Sequence, residues 1–428
     1  MPYEAGAPMN PQPTNSLGLA VILYLLAPAI GFAQPFHFET GQLSTEALSS
    51  NFFGDCSVRP FRIYLPPSYD TTSKRYPVIY LLHGFTQNEF SLGFAGSTLD
   101  SMIRRRTARE MIIVFVNAGN RLNGSFYLSS QVIGDYETYV TRDLVDLIDS
   151  RYRTLNARES RGISGFSMGG WGAMHLALKF PAIFSVTVPE AGFYDSTSHW
   201  ADDAARELVR LGPTNLDQLV SIDWPAAGFQ ALFAGLLPNP QRPPLFTDYP
   251  YEIVNGQFVS VDSARSRCQD GDVQNGDLGR YLQQPVRLVG IRIVHGAADS
   301  VVPVSEARQF TNALTRAGIP FEYIEHSNIH EYRRELALPF FSTHLQGAEL
   351  YVSPPRLSLI ITNNSLQVTV PTQTGVTYWL ESSGGDGTSL GAWTEKEVVA
   401  GTDQPALLNL PLPTEPEFFR VRAANANP

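Results

Sequence analysis

Residues Gly165-Phe166-Ser167-Met168-Gly169 spell G-x-S-x-G, a spacing that suits a nucleophilic serine. A strand that turns sharply into a helix leaves the serine hydroxyl exposed at its apex, and crowding there requires glycine on both sides. The flanks agree, with a short strand over 161–164 and a helix over 170–177 stopped by Pro181. A serine needs a base to take its proton, and the base needs a carboxylate to fix its tautomer. In one of the known chain orders the serine comes first, then the acid, then the histidine. Downstream, His295-Gly296-Ala297-Ala298-Asp299 directly follows the apolar run 291–294. Asp299 therefore sits in the loop at a strand's carboxyl end, where such sheets build their sites. A role as cap of the helix starting near Val304 is less direct, because Pro303 intervenes. After the strand 321–325 the chain reads His326-Ser327-Asn328-Ile329-His330-Glu331, and His330 is far enough past the strand to reach over the serine. His326 lies at the strand tip and reads as structural, and His344 belongs to the final helix. An oxyanion would be held by backbone N–H groups, one from Met168 and one from Phe85 in the loop after Leu81-Leu82-His83-Gly84. His83 itself reads as a structural hydrogen-bonding residue.

The elements that must position these residues alternate. Runs 62–65, 78–82, 111–116, 186–188 and 291–294 read as strands, several of the uninterrupted apolar kind that a buried parallel sheet requires. Between them, 99–109 reads as a helix, 136–152 carries apolar residues at helical spacing, and 304–317 ends at the stop signal Gly318. This alternation predicts an α/β, doubly wound, mostly parallel sheet. Residues 196–284 interrupt it with Trp200, Trp224, Phe229, Phe233, Phe246, Tyr249, Tyr251 and a proline-rich stretch, as a cap inserted between core strands would. Those aromatics either shape a substrate pocket or form the insertion's own core. After Ser353-Pro354-Pro355 the period becomes two, at Leu357, Leu359, Ile361 and then Leu366, Val368, Val370, with a final strand over 418–421. The domains expected are a catalytic domain over 34–350 and a small all-β sandwich over 351–428.

Composition narrows the function. The 428 residues are 43% hydrophobic with a formal net charge of −10, which argues against nucleic acid or anionic lipid as the main partner. The basic run Arg104-Arg105-Arg106 reads as a solvated helix face. Two cysteines, Cys56 and Cys268, are too few for a zinc site or a disulfide framework, and whether they pair stays open. The apolar run 17–30 followed by Gly31-Phe32-Ala33 has the form of a secretory signal cleaved after Ala33, although residues 1–16 contain no Lys or Arg. A secreted or periplasmic protein is expected, with no later stretch apolar enough to span a membrane.

Several stretches carry a family resemblance: Ile63-Tyr64-Leu65-Pro66-Pro67-Ser68-Tyr69, the run from Tyr76 to Phe85, 136–153, 165–181, and the strand-end Asp299 and His330. With these the chain resembles, over about residues 50–347, the putative-esterase family of α/β-hydrolases. That family includes feruloyl and acetyl-xylan esterases, tributyrin-type esterases, S-formylglutathione hydrolases and, more distantly, mycolyltransferases. The resemblance implies a Ser167–His330–Asp299 triad with Phe85 and Met168 as oxyanion donors, working without metal or organic cofactor. It implies a carboxylic-ester hydrolase acting on short-chain or plant-polysaccharide-linked esters. A polyester hydrolase, an acyltransferase using the same triad, and a carbohydrate-binding or adhesive protein are the alternatives. The tail around Tyr378-Trp379 and Phe418-Phe419-Arg420-Val421 is similar to sandwich modules on secreted bacterial proteins, so polysaccharide contact through Trp379 or Trp393 is weighed against burial of both rings in a core.

Overall fold

The protein is described by a computed structural model covering residues 37–219, 221–351, 357–361, 365–384, 392–411, 413 and 417–425. The N-terminal apolar run, its expected cleavage point and the Pro354-Pro355 pair lie outside the described residues. Residues Gln34–Tyr351 form one compact unit, and Val352–Pro428 belong to a second.

The larger unit is built on eight strands: β1 (His37–Ser44), β2 (Val58–Leu65), β3 (Val78–Leu82), β4 (Ile112–Val116), β5 (Arg161–Phe166), β6 (Val186–Glu190), β7 (Gly290–Gly296) and β8 (Glu322–His326). Their order across the sheet is β1-β2-β4-β3-β5-β6-β7-β8. From β4 to β8 every neighbouring pair is parallel, and β1 and β2 extend that edge antiparallel. All residues of β3 and β4 are buried, which follows from helices covering both faces of the sheet. One face carries α1 (Phe94–Arg104) and the C-terminal helix, which pack on Ile79, Leu81, Ile113 and Phe115. The opposite face packs Val78, Tyr80, Ile112 and Val114 against α2 (Leu144–Arg151), α3 (Met168–Lys179) and the insertion.

Strand register does the positioning. Leu82 lies opposite Gly165, Phe166 opposite Glu190, Glu190 opposite Val294, and Gly296 opposite His326. The carboxyl ends of β3, β5, β6, β7 and β8 are therefore level, and the loops carrying Phe85, Ser167, Asp299 and His330 leave the sheet at one edge.

Between β6 and β7 the insertion contains α4 (His199–Leu211), α5 (Ala226–Leu236), α6 (Asp262–Gly271) and a hairpin of Tyr251–Val254 with Gln257–Ser260. Phe229 and Phe233 are buried, and Phe193 stacks between Trp171 of α3 and Phe229 of α5, at 4.9 and 5.5 Å between centroids. Phe229 and Phe233 are thus core, and Phe229 fastens the insertion through Phe193 to the helix following Ser167.

Two expectations shift. The helix expected over 99–109 runs instead over Phe94–Arg104, because Arg106 takes a left-handed φ of 59° that ends helical geometry. Strand β1 carries no clear hydrophobic alternation and was not expected from the pattern.

The second unit forms two three-stranded antiparallel sheets from β9 (Ser358–Ile361), β10 (Ser365–Val370), β11 (Val376–Gly384), β12 (Thr394–Ala400), β13 (Ala406–Pro411) and β14 (Glu417–Asn425). The orders are β9-β10-β13 and β12-β11-β14. Leu366, Val368, Val370, Val376, Tyr378, Leu380, Leu408 and Phe419 of the two sheets share one core, which makes a sandwich. The last strand is longer than expected.

Candidate active site

At the end of β5 the chain makes the turn that G-x-S-x-G demands. Ser167 has φ 58° and ψ −116°, strained for a residue with a Cβ, and α3 begins at the next residue. A Cβ on Gly165 would run into the Gly169 carbonyl, and one on Gly169 into the carbonyl of Leu82. Both glycines are thus dictated by close backbone approach. The turn is fixed by Ser167 N–H donating to the Glu190 carbonyl at 2.9 Å and Trp171 N–H to the Ser167 carbonyl at 3.0 Å.

His330, in the loop after β8, donates from Nδ1 to Asp299 Oδ2 at 2.7 Å. Asp299 Oδ1 accepts the N–H groups of Val301 and Val302 at 2.8 and 2.9 Å. Asp299 therefore caps its own turn and not the following helix, α7 (Val304–Arg316), whose N-cap is Pro303. A second imidazole also reaches it: buried His295 lies with Nε2 3.3 Å from Asp299 Oδ2 and 2.9 Å from the Val302 carbonyl. Burial alone would raise the Asp299 pKa. Hydrogen bonds from His295, His330 and the Val302 amide outweigh it and hold the carboxyl well below the usual carboxylate range.

Ser167 and His330 line one cavity of about 320 Å3, with Phe85, Leu219, Ile222 and Trp224 among its walls. Phe85 packs on Trp224 at 5.5 Å, so the insertion contributes directly to this wall. Gly84 brings the β3 loop so close that a Cβ there would lie 3.4 Å from the Ser167 Cβ. Thr86, at φ 63°, donates its N–H to the Asn123 carbonyl. Among the described residues, the N–H groups of Phe85 and Met168 have no protein acceptor. His83 is buried behind this loop, donating from Nδ1 to the Gly84 carbonyl and accepting the Ala118 N–H at Nε2. Burial pushes its pKa down to about 4, so it is a neutral brace. His326 accepts the Asn328 N–H, and His344 bonds the Phe340 carbonyl in the C-terminal helix α8 (Arg334–His344). Both lie apart from the cavity lining.

Beside the cavity, and sharing Thr86, Gln87 and Asn123 with it, lies an open polar groove of about 370 Å3. Its remaining walls include Asp55, Asn88, Asn117, Asn120 and Arg121. The sequence carried no spacing that joined these residues, because they come from three separate loops. Cys56 is exposed and Cys268 buried in α6, and both are free thiols. Among the described residues no group of His, Cys, Asp or Glu has the arrangement of a metal site, and no helix is long and apolar enough to cross a membrane.

A parallel sheet of this order, with a serine on a strained strand-to-helix turn at its centre, defines an α/β-hydrolase fold. Residues 56–220 match the family described as “Putative esterase”. An uncharacterised protein of Bacillus subtilis is 27% identical over 163 residues, covering 35% of this chain and 61% of its own length. An esterase of Mycobacterium tuberculosis is 31% identical over 162 residues, covering 36% of this chain and 34% of its own. The chain thus spans about a third to three-fifths of the length of these curated relatives. Among solved structures, a ferulic acid esterase aligns with 72% of this chain and 97% of its own at 21% identity and a TM-score of 0.47.

Proposed function

We propose that the chain is a serine carboxylesterase in which Ser167, His330 and Asp299 act as a triad. The observation that carries the reading is the 2.7 Å Asp299–His330 pair opening onto the cavity that Ser167 lines. His330 Nε2 takes the proton from Ser167 Oγ as the oxygen attacks the ester carbonyl, and Asp299 stabilises the imidazolium. The oxyanion that forms accepts the unpartnered N–H groups of Phe85 and Met168. Collapse expels the alcohol, which takes the proton from His330. Water then gives its proton to His330 and attacks the acyl-enzyme, releasing the acid and free Ser167.

The two hollows favour different halves of a substrate. Leu219, Ile222, Trp224 and Phe85 suit an apolar or aromatic acyl group, and the amide-rich groove suits a hydroxyl-rich alcohol. This supports a polysaccharide-linked ester, feruloyl or acetyl, over a simple alkyl ester. Export fits such a substrate and is supported by the apolar run 17–30.

Ser167→Ala is expected to lower p-nitrophenyl butyrate turnover by roughly four orders of magnitude or more with the circular-dichroism spectrum unchanged. Burst kinetics retained in that variant would overturn the assignment. A panel of methyl ferulate, acetylated xylan and aliphatic p-nitrophenyl esters tests the substrate, with the highest kcat/KM expected on the sugar-linked or aromatic members.

A further inference from the structure

The loop carrying His330 runs from the end of β8 at His326 to the start of α8 at Arg334. Its first half is tied to the turn just after β7, where Ala297 N–H donates to the His326 carbonyl and Ala298 N–H to the Asn328 carbonyl. Its second half meets a side chain from beneath the nucleophile. Arg333 N–H donates to Glu190 Oε2 at 2.6 Å, the shortest backbone-to-carboxylate bond near the site.

Glu190 is fully buried at the last position of β6, and its other oxygen, Oε1, has no hydrogen-bond partner among the described residues. A buried carboxyl with half of its hydrogen-bonding capacity unused is costly, and an apolar residue would fill the space without that cost. Its backbone carbonyl meanwhile accepts the N–H of Ser167 at 2.9 Å. One residue thus touches both the elbow that presents the serine and the loop that presents the histidine. It does not line the cavity.

We propose that Glu190 is a positioning residue that sets His330 over Ser167, its backbone holding the elbow and its carboxyl holding the far end of the histidine loop. The proposal rests on the triad reading above. The groups around the carboxyl are Arg333, Arg334 and Glu335 at the start of α8, Tyr332 just before them, and Tyr194 after β6. Burial pushes the pKa up to about 8, with Glu335 adding to the rise and the Arg333 amide, Arg333 and Arg334 opposing it. Burial thus favours the uncharged form of the carboxyl that the loop amide meets. Tyr332, buried against Phe166, steadies the same stretch.

The test compares Glu190→Leu with Glu190→Gln in the full chain. Loss of the acceptor in the Leu variant should lower kcat about 10- to 100-fold with KM within about twofold, since small misplacements of a catalytic group cost rate and not binding. Glu190→Gln presents the same oxygen without a charge and should recover most of kcat. The rate at which a fluorophosphonate probe labels Ser167 should follow kcat in all three proteins. Equal kcat and labelling in wild type and a folded Glu190→Leu would overturn the proposal. If Glu190→Leu does not fold, a folded Glu190→Gln that loses kcat about 10-fold or more against wild type would do the same. A wild type that is neither labelled nor active would instead sink the triad reading itself.

Discussion

At the scale of single residues, the proposed acid is held by protein donors on both of its carboxyl oxygens. Asp299 has no contact with bulk water through its carboxyl, yet it receives the His330 Nδ1–H, two backbone N–H groups and a share of the His295 Nε2–H, whose nearer acceptor is the Val302 carbonyl. These donors keep the carboxylate ionised and aimed, so that in the proposed triad His330 is held with Nδ1 protonated and Nε2 free to act as base. Asp299→Asn replaces an acceptor by a group that can also donate, which favours the wrong His330 tautomer. It should lower kcat by roughly 10^4-fold with little change in KM, measured on a p-nitrophenyl ester at saturating substrate. A loss below tenfold would mean that another group, such as Glu331, serves as the acid. The residues proposed as the triad could be picked out in the sequence because Ser167 sits in G-x-S-x-G, Asp299 follows an apolar strand and His330 is the histidine in the loop after the next strand. His295 and Glu190 were not, because their partners lie across neighbouring strands. A glutamate at a strand end reads as solvent-facing until the packing above it is known.

At the scale of elements, the helix that follows Ser167 is clamped two turns on. His175 of α3 lies between Asp277, at 2.6 Å, and Glu137, at 3.1 Å, and all three are buried. Lys179 pairs with Glu137 and Arg280 with Asp277, so the insertion, α3 and the segment before α2 meet in one ion network. Burial alone would depress the His175 pKa, but the attraction of Asp277 and Glu137 prevails and raises it to about 9. Because the folded pKa lies above the unfolded one, the contribution is complete below about pH 6.5 and is lost as pH rises through about 9. For Glu137, pulled down to about 2 against the penalty of burial, the contribution holds above pH 4.5 and fades as pH falls towards 2. His175→Leu leaves a buried carboxylate pair without its central cation and should cost about 3–5 kcal/mol in urea unfolding at pH 6. The gap to wild type should narrow at pH 10, and a gap independent of pH would show that His175 is held neutral. The pattern of β3, β4 and α3 was readable because long apolar runs have few folded solutions. The edge strand β1 and the hairpin of the insertion were not, since neither shows a buried face in its own sequence.

At the scale of the whole molecule, the sandwich unit raises the question of polymer contact. A tryptophan that stacks on a sugar ring needs a bare face. Trp379 and Trp393 are neither in the sandwich core nor bare: Arg422 lies 4.0 Å over the Trp379 ring and Arg420 lies 4.2 Å over Trp393. Both guanidiniums also pair with Glu381, whose carboxyl they hold below its ordinary value against the opposing effect of burial. The rings therefore act as platforms for arginines of β14, packed on the outer side of β11 and tying the sheet together. Displacing an arginine to admit a sugar would give up a cation–π contact and loosen an ion pair for one stacking contact of similar size. Trp379→Ala is accordingly expected to destabilise the sandwich by about 1–2 kcal/mol and to leave retention on insoluble xylan unchanged. Co-sedimentation of full-length Ser167→Ala, with and without the tryptophan change, measures the second effect free of substrate turnover. Loss of retention with no loss of stability would assign the ring to sugar binding and place polymer contact in this unit instead of the groove proposed for it beside Ser167.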